Sequence, residues 1–345
     1  MKSNLTQFLA VSEELRRNLK LASAVEEIRR WHRPYERRYA SDRVVESLQG
    51  ALPSSAEARK FVYSASIVTL YGALEQYVER LIQDCVEVYV ACHLSYDTIS
   101  HDVIRNHALL SNEVLAAQLA DRYHGSITET ELATGLYRAY QRNAPVKLNA
   151  EVFSRHTANF RWPLIRASFL RAGLDVAAVE MDPGLSAAMS EHFPDEADAL
   201  AIVDDLAERR NSIAHGSATD LLSLELQLAY VSMLEAFAIA LLEKATTAVV
   251  RASIHESTVA LGRPDKHFQG HIAGYFSSAA EVAVGDVMGV VSGASGHMME
   301  VVEIQIAGVS VGRAPVGAEV GIKLSGDFSG RSRLFVLPSG ARGGI

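Results

Sequence analysis

Arg209-Arg210-Asn211-Ser212-Ile213-Ala214-His215, closed by Gly216, places two guanidiniums, an amide, a hydroxyl and an imidazole within two helical turns. A helix that only packs against its neighbours has no use for that set. Phosphate chemistry does. Arginine offers phosphate oxygens a planar fork of donors, and imidazole moves a proton near neutral pH without a metal. On the helical period Asn211 and His215 share a face, whereas Arg210 points about 140° away from His215. A long arginine at a frayed helix end still reaches a shared cleft. His215, in the last turn, meets the negative end of the helix, which favours its charged form. Asn211 is expected to orient His215 or the phosphate. Glu75, polar on an apolar helix face, is expected to reach Arg209 or Arg210. The competing role is structural: Arg209 and Arg210 satisfy the helix dipole, and His215 caps the last carbonyls.

The elements that must hold these residues are helical. Residues 1–50 read as one or two charged helices. Residues 56–94 form the first strong helix, with an apolar face through Val68, Leu74, Leu81 and Cys85 and a serine cap before Ala56. Shorter helices are predicted over 100–122, 129–141 and about 163–172, and Asp182-Pro183-Gly184 reads as a turn. The motif helix is expected to start near Pro194, with Asp195, Glu196 and Asp198 at its positive end. Leu200, Ile202, Val203, Leu206 and Ala207 should form its core face, and Gly216 should end it. Thr219 or Asp220 then caps a helix running through Lys244.

From about 268 the period changes from helix to strand. Val282–Val291 reads as one strand region. Met298–Ile306 should alternate, with Met299, Val301, Glu303 and Gln305 on one side and Val302, Ile304 and Ile306 on the other. Shorter strands follow at 309–311, 320–324 and 333–337, and the Gly-rich turns between them suggest a small antiparallel barrel. The fold class is therefore multidomain α + β: an all-α bundle followed by a small β-barrel.

The 345 residues suit two domains. A net charge of −8 argues against coating nucleic acid by bulk charge, though not against a local basic cleft. Cys85 and Cys92, the only two cysteines, read as small core residues, and reduced thiols fit a cytoplasmic location. No signal peptide is expected at Met1-Lys2-Ser3-Asn4-Leu5. Leu221–Leu242 is apolar but interrupted by Glu225, Gln227 and Glu235, so a buried core helix is expected and not a membrane span. Arg29, Arg30, Arg33, Arg37 and Arg38, interleaved with Trp31, His32 and Tyr35, form a candidate RNA contact by phosphate pairing and stacking. A solvated helix face or a dimer contact fits that run equally. His267 and His271 have ligand spacing, but no third ligand accompanies them, and no metal or cofactor is expected.

Two resemblances add to this. Val68-Thr-Leu-Tyr71-Gly72-Ala-Leu74-Glu75-Gln-Tyr77-Val78, together with Arg209-Arg210-Asn211-x3-His215-Gly216, resembles the RiboL-PSP-HEPN group of the HEPN superfamily over roughly residues 55–250. Gly274-Tyr275-Phe276, Val284-Gly285-Asp286-Val287 and Ala314–Leu324 resemble the β-barrel that forms domain II of translation GTPases. The layout implied is a helical extension at 1–54, the HEPN domain at 55–250, the barrel at 268–338 and a tail at 339–345. The HEPN resemblance implies a homodimer whose paired motifs line one groove. It also implies a metal-independent endoribonuclease in a toxin–antitoxin or phage-defence setting. Arg210, helped by Arg209, would steady charge on the phosphoryl oxygens, and His215 would act as general acid or base in attack by the 2′-OH. Asn211 completes that set, with Ser212 and Glu75 supporting. The implied partners are RNA, tRNA or another translation-related RNA included, and an antitoxin or defence protein. The alternative is a non-catalytic HEPN module that binds RNA or protein and dimerises.

Overall fold

The computed structural model describes residues 1–31, 54–93, 95–120, 125–141, 145–195, 198–255, 258–268 and 273–338. Within them a helical domain precedes an antiparallel sheet. The helices are α1 (Lys2–Trp31), α2 (Ser55–Ala91), α3 (His101–Leu119), α4 (Glu129–Ala139), α5 (Glu151–Ser154), α6 (Trp162–Arg171), α7 (Pro183–His192), α8 (Ala201–Ala214) and α9 (Leu224–Ala252).

Three long helices make the core. In α2, Ile67, Leu70, Leu74, Val78, Leu81 and Cys85 recur at helical spacing and are buried. They meet Tyr230, Leu234, Phe237 and Leu241 of α9 within one apolar cluster. Each such side chain contributes about 1.5–3 kcal/mol when fully buried. Tyr77 fixes the pair further by donating from its hydroxyl to the Ala238 carbonyl at 2.6 Å. The segment expected as an extension supplies α1 to this same core. Phe8 packs on Tyr77 with ring centroids 5.4 Å apart, and Arg16 pairs with Glu235 of α9 at 2.5 Å. Cys85 and Cys92 are buried free thiols. Among the described residues α9 alone is long and apolar enough to cross a membrane, and half of its most apolar stretch lies inside the molecule.

Local chemistry sets boundaries that periodicity misplaces. The cap of α2 is Ser54, not the serine before Ala56, because only Ser54 has a glutamate three residues on: Glu57 closes the capping box. Asp182-Pro183-Gly184 is no mere turn but the start of α7, where the Asp182 carboxylate accepts from the amides of Gly184 and Leu185. The motif helix begins at Ala201, so Pro194 and Asp195 precede it. Ser223, not Thr219 or Asp220, caps α9, and α9 runs on to Ala252.

Strands begin earlier than expected, at β1 (Val259–Gly262) and β2 (Lys266–His267). They continue as β3 (Ala273–Ser277), β4 (Val282–Ala283), β5 (Val287–Ser292), β6 (Ser295–Ile306), β7 (Val309–Val311), β8 (Arg313–Ala314), β9 (Glu319–Leu324) and β10 (Arg333–Val336). The 282–291 region is two strands because Gly285 turns at φ +86°. In β6 the expected alternation fails at a bulge between Val301 and Glu303, so Val301 and Ile304 are both buried while Val302 is exposed. The main sheet runs β1-β10-β5-β6-β9-β3-β2, with β7 on β6 and β4 paired to β8. It curls into a half-barrel. The sheet sits on the end of α9. Thr247 Oγ1 donates to the Gly296 carbonyl at 3.0 Å and accepts from the Gly296 amide at 3.1 Å, and Val287, Met298 and Leu337 join the helical core.

Candidate functional site

The motif lies at the end of α8, where the buried Ile202, Val203, Leu206 and Ala207 anchor the helix. His215 is the C-cap residue, at φ −88° and ψ 1°. Gly216 follows at φ +70°. The Gly216 amide donates to the Ile213 carbonyl at 3.0 Å and the Ser217 amide to the Ser212 carbonyl at 2.9 Å. These are the two bonds of a Schellman ending, which needs a left-handed residue that glycine adopts without strain. The ending leaves His215 exposed to solvent.

Arg209 and Arg210 have different surroundings. Arg209 is 17% exposed and bonded through Nε and Nη1. Its Nε donates to Asp205 at 2.6 Å, and its Nη1 donates to the Tyr63 hydroxyl at 3.3 Å and the Asp220 carbonyl at 3.2 Å. Tyr230, whose ring lies 5.9 Å from the guanidinium, also donates to Asp205. Burial disfavours the Arg209 charge, but bonds with Tyr63, Tyr230 and Asp205 outweigh it and move its pKa up. Arg209 thus ties α8 to α2, to α9 and to the chain leading into α9.

Arg210 is half-buried and rests over the Tyr71 ring, 5.7 Å from its centroid. Among the described residues its one hydrogen bond is a long one, Nη1 to Asn211 Oδ1 at 3.5 Å. Asn211 Oδ1 also accepts from Asn159 Nδ2. Tyr71 accepts the Phe160 amide at 2.8 Å and donates to Glu75 Oε1 at 3.1 Å. Burial first, then the negative Glu75, raises the Tyr71 pKa. Glu75 therefore meets Tyr71 and, at 3.8 Å, His156, and approaches Arg210 only by way of the Tyr71 ring. That differs from the expected direct reach, because Tyr71, one turn earlier on α2, stands between them. Ser212 contributes its carbonyl to the helix ending.

Structure thus gathers Arg210, Asn211 and Glu75, sets Arg209 behind them as a clamp, and leaves His215 at the exposed tip. It adds Tyr71, His156 and Asn159, none of which sequence reasoning selected as site residues. Tyr71 lay within the stretch that carries the HEPN resemblance but was given no role of its own. His156 and Asn159 sit in a loop where no period marks them. Of the proposed RNA-contacting residues, Arg29 and Arg30 fall on the last turn of α1, and Arg33, Arg37 and Arg38 lie outside the described residues. His267 lies on β2 with its ring 4.8 Å from that of Phe328, and His271 is outside the described residues. Among the described residues no group of three or more His, Cys, Asp or Glu side chains is arranged to hold a metal.

A family model described as RiboL-PSP-HEPN matches residues 39–246, more than half of the chain and the whole of α2 through the motif and most of α9. No curated protein and no solved structure matches the chain.

Proposed function

Because the chain belongs to the RiboL-PSP-HEPN family, we propose that it is an endoribonuclease that cleaves RNA by attack of a 2′-OH on the adjacent phosphate, without need of a metal. The observation that carries this reading is the contrast between the two arginines. Arg209 spends its donors inside the protein, while among the described residues Arg210 is held by a ring face and one long bond, which leaves most of its fork for a phosphate. In this reading Arg210 steadies charge on the phosphoryl oxygens, His215 transfers the proton, Asn211 orients the phosphate, and Arg209 holds the helix end. The product carries a 2′,3′-cyclic phosphate, and DNA, which has no 2′-OH, is inert.

Two copies pair so that their motifs line one groove. Exposed Phe61 and Val68, seven apart on one face of α2, support an interface there. The half-barrel directs the dimer to its RNA, and growth arrest in a toxin or phage-defence setting, with an antitoxin or defence partner, is the biological role proposed, in the cytoplasm.

Purified protein incubated with tRNA and total RNA in EDTA tests the reading. Wild type cleaves. Arg210→Ala loses about 10²–10³ in kcat and His215→Ala about 10²–10⁴. Mixing the two variants restores part of the activity if each groove takes Arg210 and His215 from different chains. Intact RNA with wild type, or equal cleavage by the variants, overturns it. Tight RNA binding without cleavage would instead favour a binding module.

A further inference from the structure

The segment 155–161, between α5 and α6, is fastened on two sides. Phe160 donates its amide to Tyr71 of α2 at 2.8 Å, and Asn159 donates to Asn211 of α8. Arg161 pairs with Glu208 of α8 at 2.5 Å, and the Trp162 amide donates to Asp204 Oδ1 at 2.8 Å. His156 sits at the head of this segment, with its side chain only 12% exposed. Its Nδ1 lies 2.7 Å from the Ala158 carbonyl oxygen and its Nε2 lies 3.1 Å from Glu79 Oε1. Glu75 Oε1 is 3.8 Å from the same Nε2, and the Phe160 ring covers the imidazole at 4.0 Å between centroids.

Both ring nitrogens therefore face oxygen acceptors. A neutral imidazole has one N–H and can serve one of them; the imidazolium serves both. Burial opposes the charge, but the bonds to Glu79 and Ala158 and the fields of Glu75 and Glu79 outweigh it, and the His156 pKa is raised.

We propose that His156, as an imidazolium, is a positioning residue for Arg210 and Asn211. It takes up the negative charge of Glu75 and Glu79 and seats the 155–161 segment that fixes Asn211. The charged and titratable groups around it are Glu75, Glu79 and Tyr71 from α2, Arg210 of α8 beyond the Tyr71 ring, and the Arg161–Glu208 pair that joins its own segment to α8. When the proton leaves, one of the two ring bonds is lost. The Glu75 carboxylate beside Tyr71 then loses its nearby positive charge and draws the Arg210 cation toward itself and away from a phosphate. The positioned form is thus present below the His156 pKa and is lost as pH rises through it.

The activity part of the test rests on the ribonuclease reading; the spectroscopic part does not. In the 345-residue chain, kcat and KM for RNA cleavage are followed against pH for wild type, His156→Gln and His156→Lys. His156→Gln is expected to lose about ten- to a hundredfold in kcat. His156→Lys, whose ammonium stays charged through neutral pH, should recover most of that loss. A His156→Gln rate within twofold of wild type, or a lysine variant no better than the glutamine one, overturns the proposal. If thermal melts show that His156→Gln does not fold, Glu79→Gln serves in its place and should move the alkaline fall in activity to lower pH. Independently, NMR should show the Asn211 side-chain amide shifting with the titration of His156, and at lower pH in Glu79→Gln. An Asn211 signal that ignores the His156 titration overturns the proposal even if wild type proves not to cleave RNA, and that failure to cleave would by itself overturn only the ribonuclease reading.

Discussion

At the scale of single residues, neighbours in sequence do unlike work. Arg209 and Arg210 differ by one position, yet the helical turn sends one into a polar nest and the other onto a tyrosine face. Arg209→Ala should therefore cost stability directly, about 1–3 kcal/mol, because Asp205 and Tyr230 lose a charged partner; a urea midpoint measures it. His107 gives a pH-dependent counterpart. It is buried, and its Nε2 accepts the Asn149 amide at 3.0 Å, a bond that only the unprotonated nitrogen can make. Burial lowers its pKa from 6.5 to about 4. The unfolded chain then binds the proton first, so this contribution is full above about 6.5 and falls away as pH drops toward about 4, by on the order of 3 kcal/mol. Unfolding measured across that window should be steeper in wild type than in His107→Gln; identical slopes would remove His107 from the account. The motif was legible because five polar side chains of four chemical kinds crowd two turns. Tyr71, His156 and Asn159 were not, since a tyrosine amid apolar neighbours carries no mark of the ring contact it makes and a loop carries no period.

At the scale of elements, the apolar stripes of α2, α8 and α9 were readable because each repeats at helical spacing over many turns. The ends were less so. Two caps were expected before α9, Thr219 and Asp220, but the helix starts later: Asp220 meets Arg209, with its Oδ2 at 3.8 Å from Nη2 and its carbonyl accepting from Nη1, and Ser223 accepts the Leu226 amide at 3.2 Å. The strand β6 was found, but its faces were inverted past the bulge, since an extra residue leaves no mark in an alternating string. The ending of α8 yields a sharper expectation. Gly216 stands at φ +70° with open space where a Cβ would be. Gly216→Ala should thus cost about 1–2 kcal/mol from backbone strain alone, seen as a lower melting temperature, with no clash to relieve. An unchanged melt would mean the helix ends differently.

At the scale of the whole molecule, the half-barrel is seated on the helical domain through a contact that depends on a glycine. A Cβ at Gly296 would meet the Thr247 Cα and carbonyl oxygen at 3.3 Å, helix backbone that would have to give by a few tenths of an ångström. Gly296→Val should unseat the sheet, so that limited proteolysis frees it while the helical core survives; equal resistance to wild type would show that the contact is dispensable. The change of period at about residue 268 announced the sheet, but nothing in a one-dimensional pattern reveals which helix receives it. The seat on Thr247 has a mechanical meaning. The same helix presents Tyr230 to Asp205, the partner of Arg209, about 25 Å nearer its start at 1.5 Å per residue. One continuous helix is thus gripped at one end by the sheet and near the other by the clamp behind the motif, so a twist imposed on the sheet would be carried along that helix to Arg209.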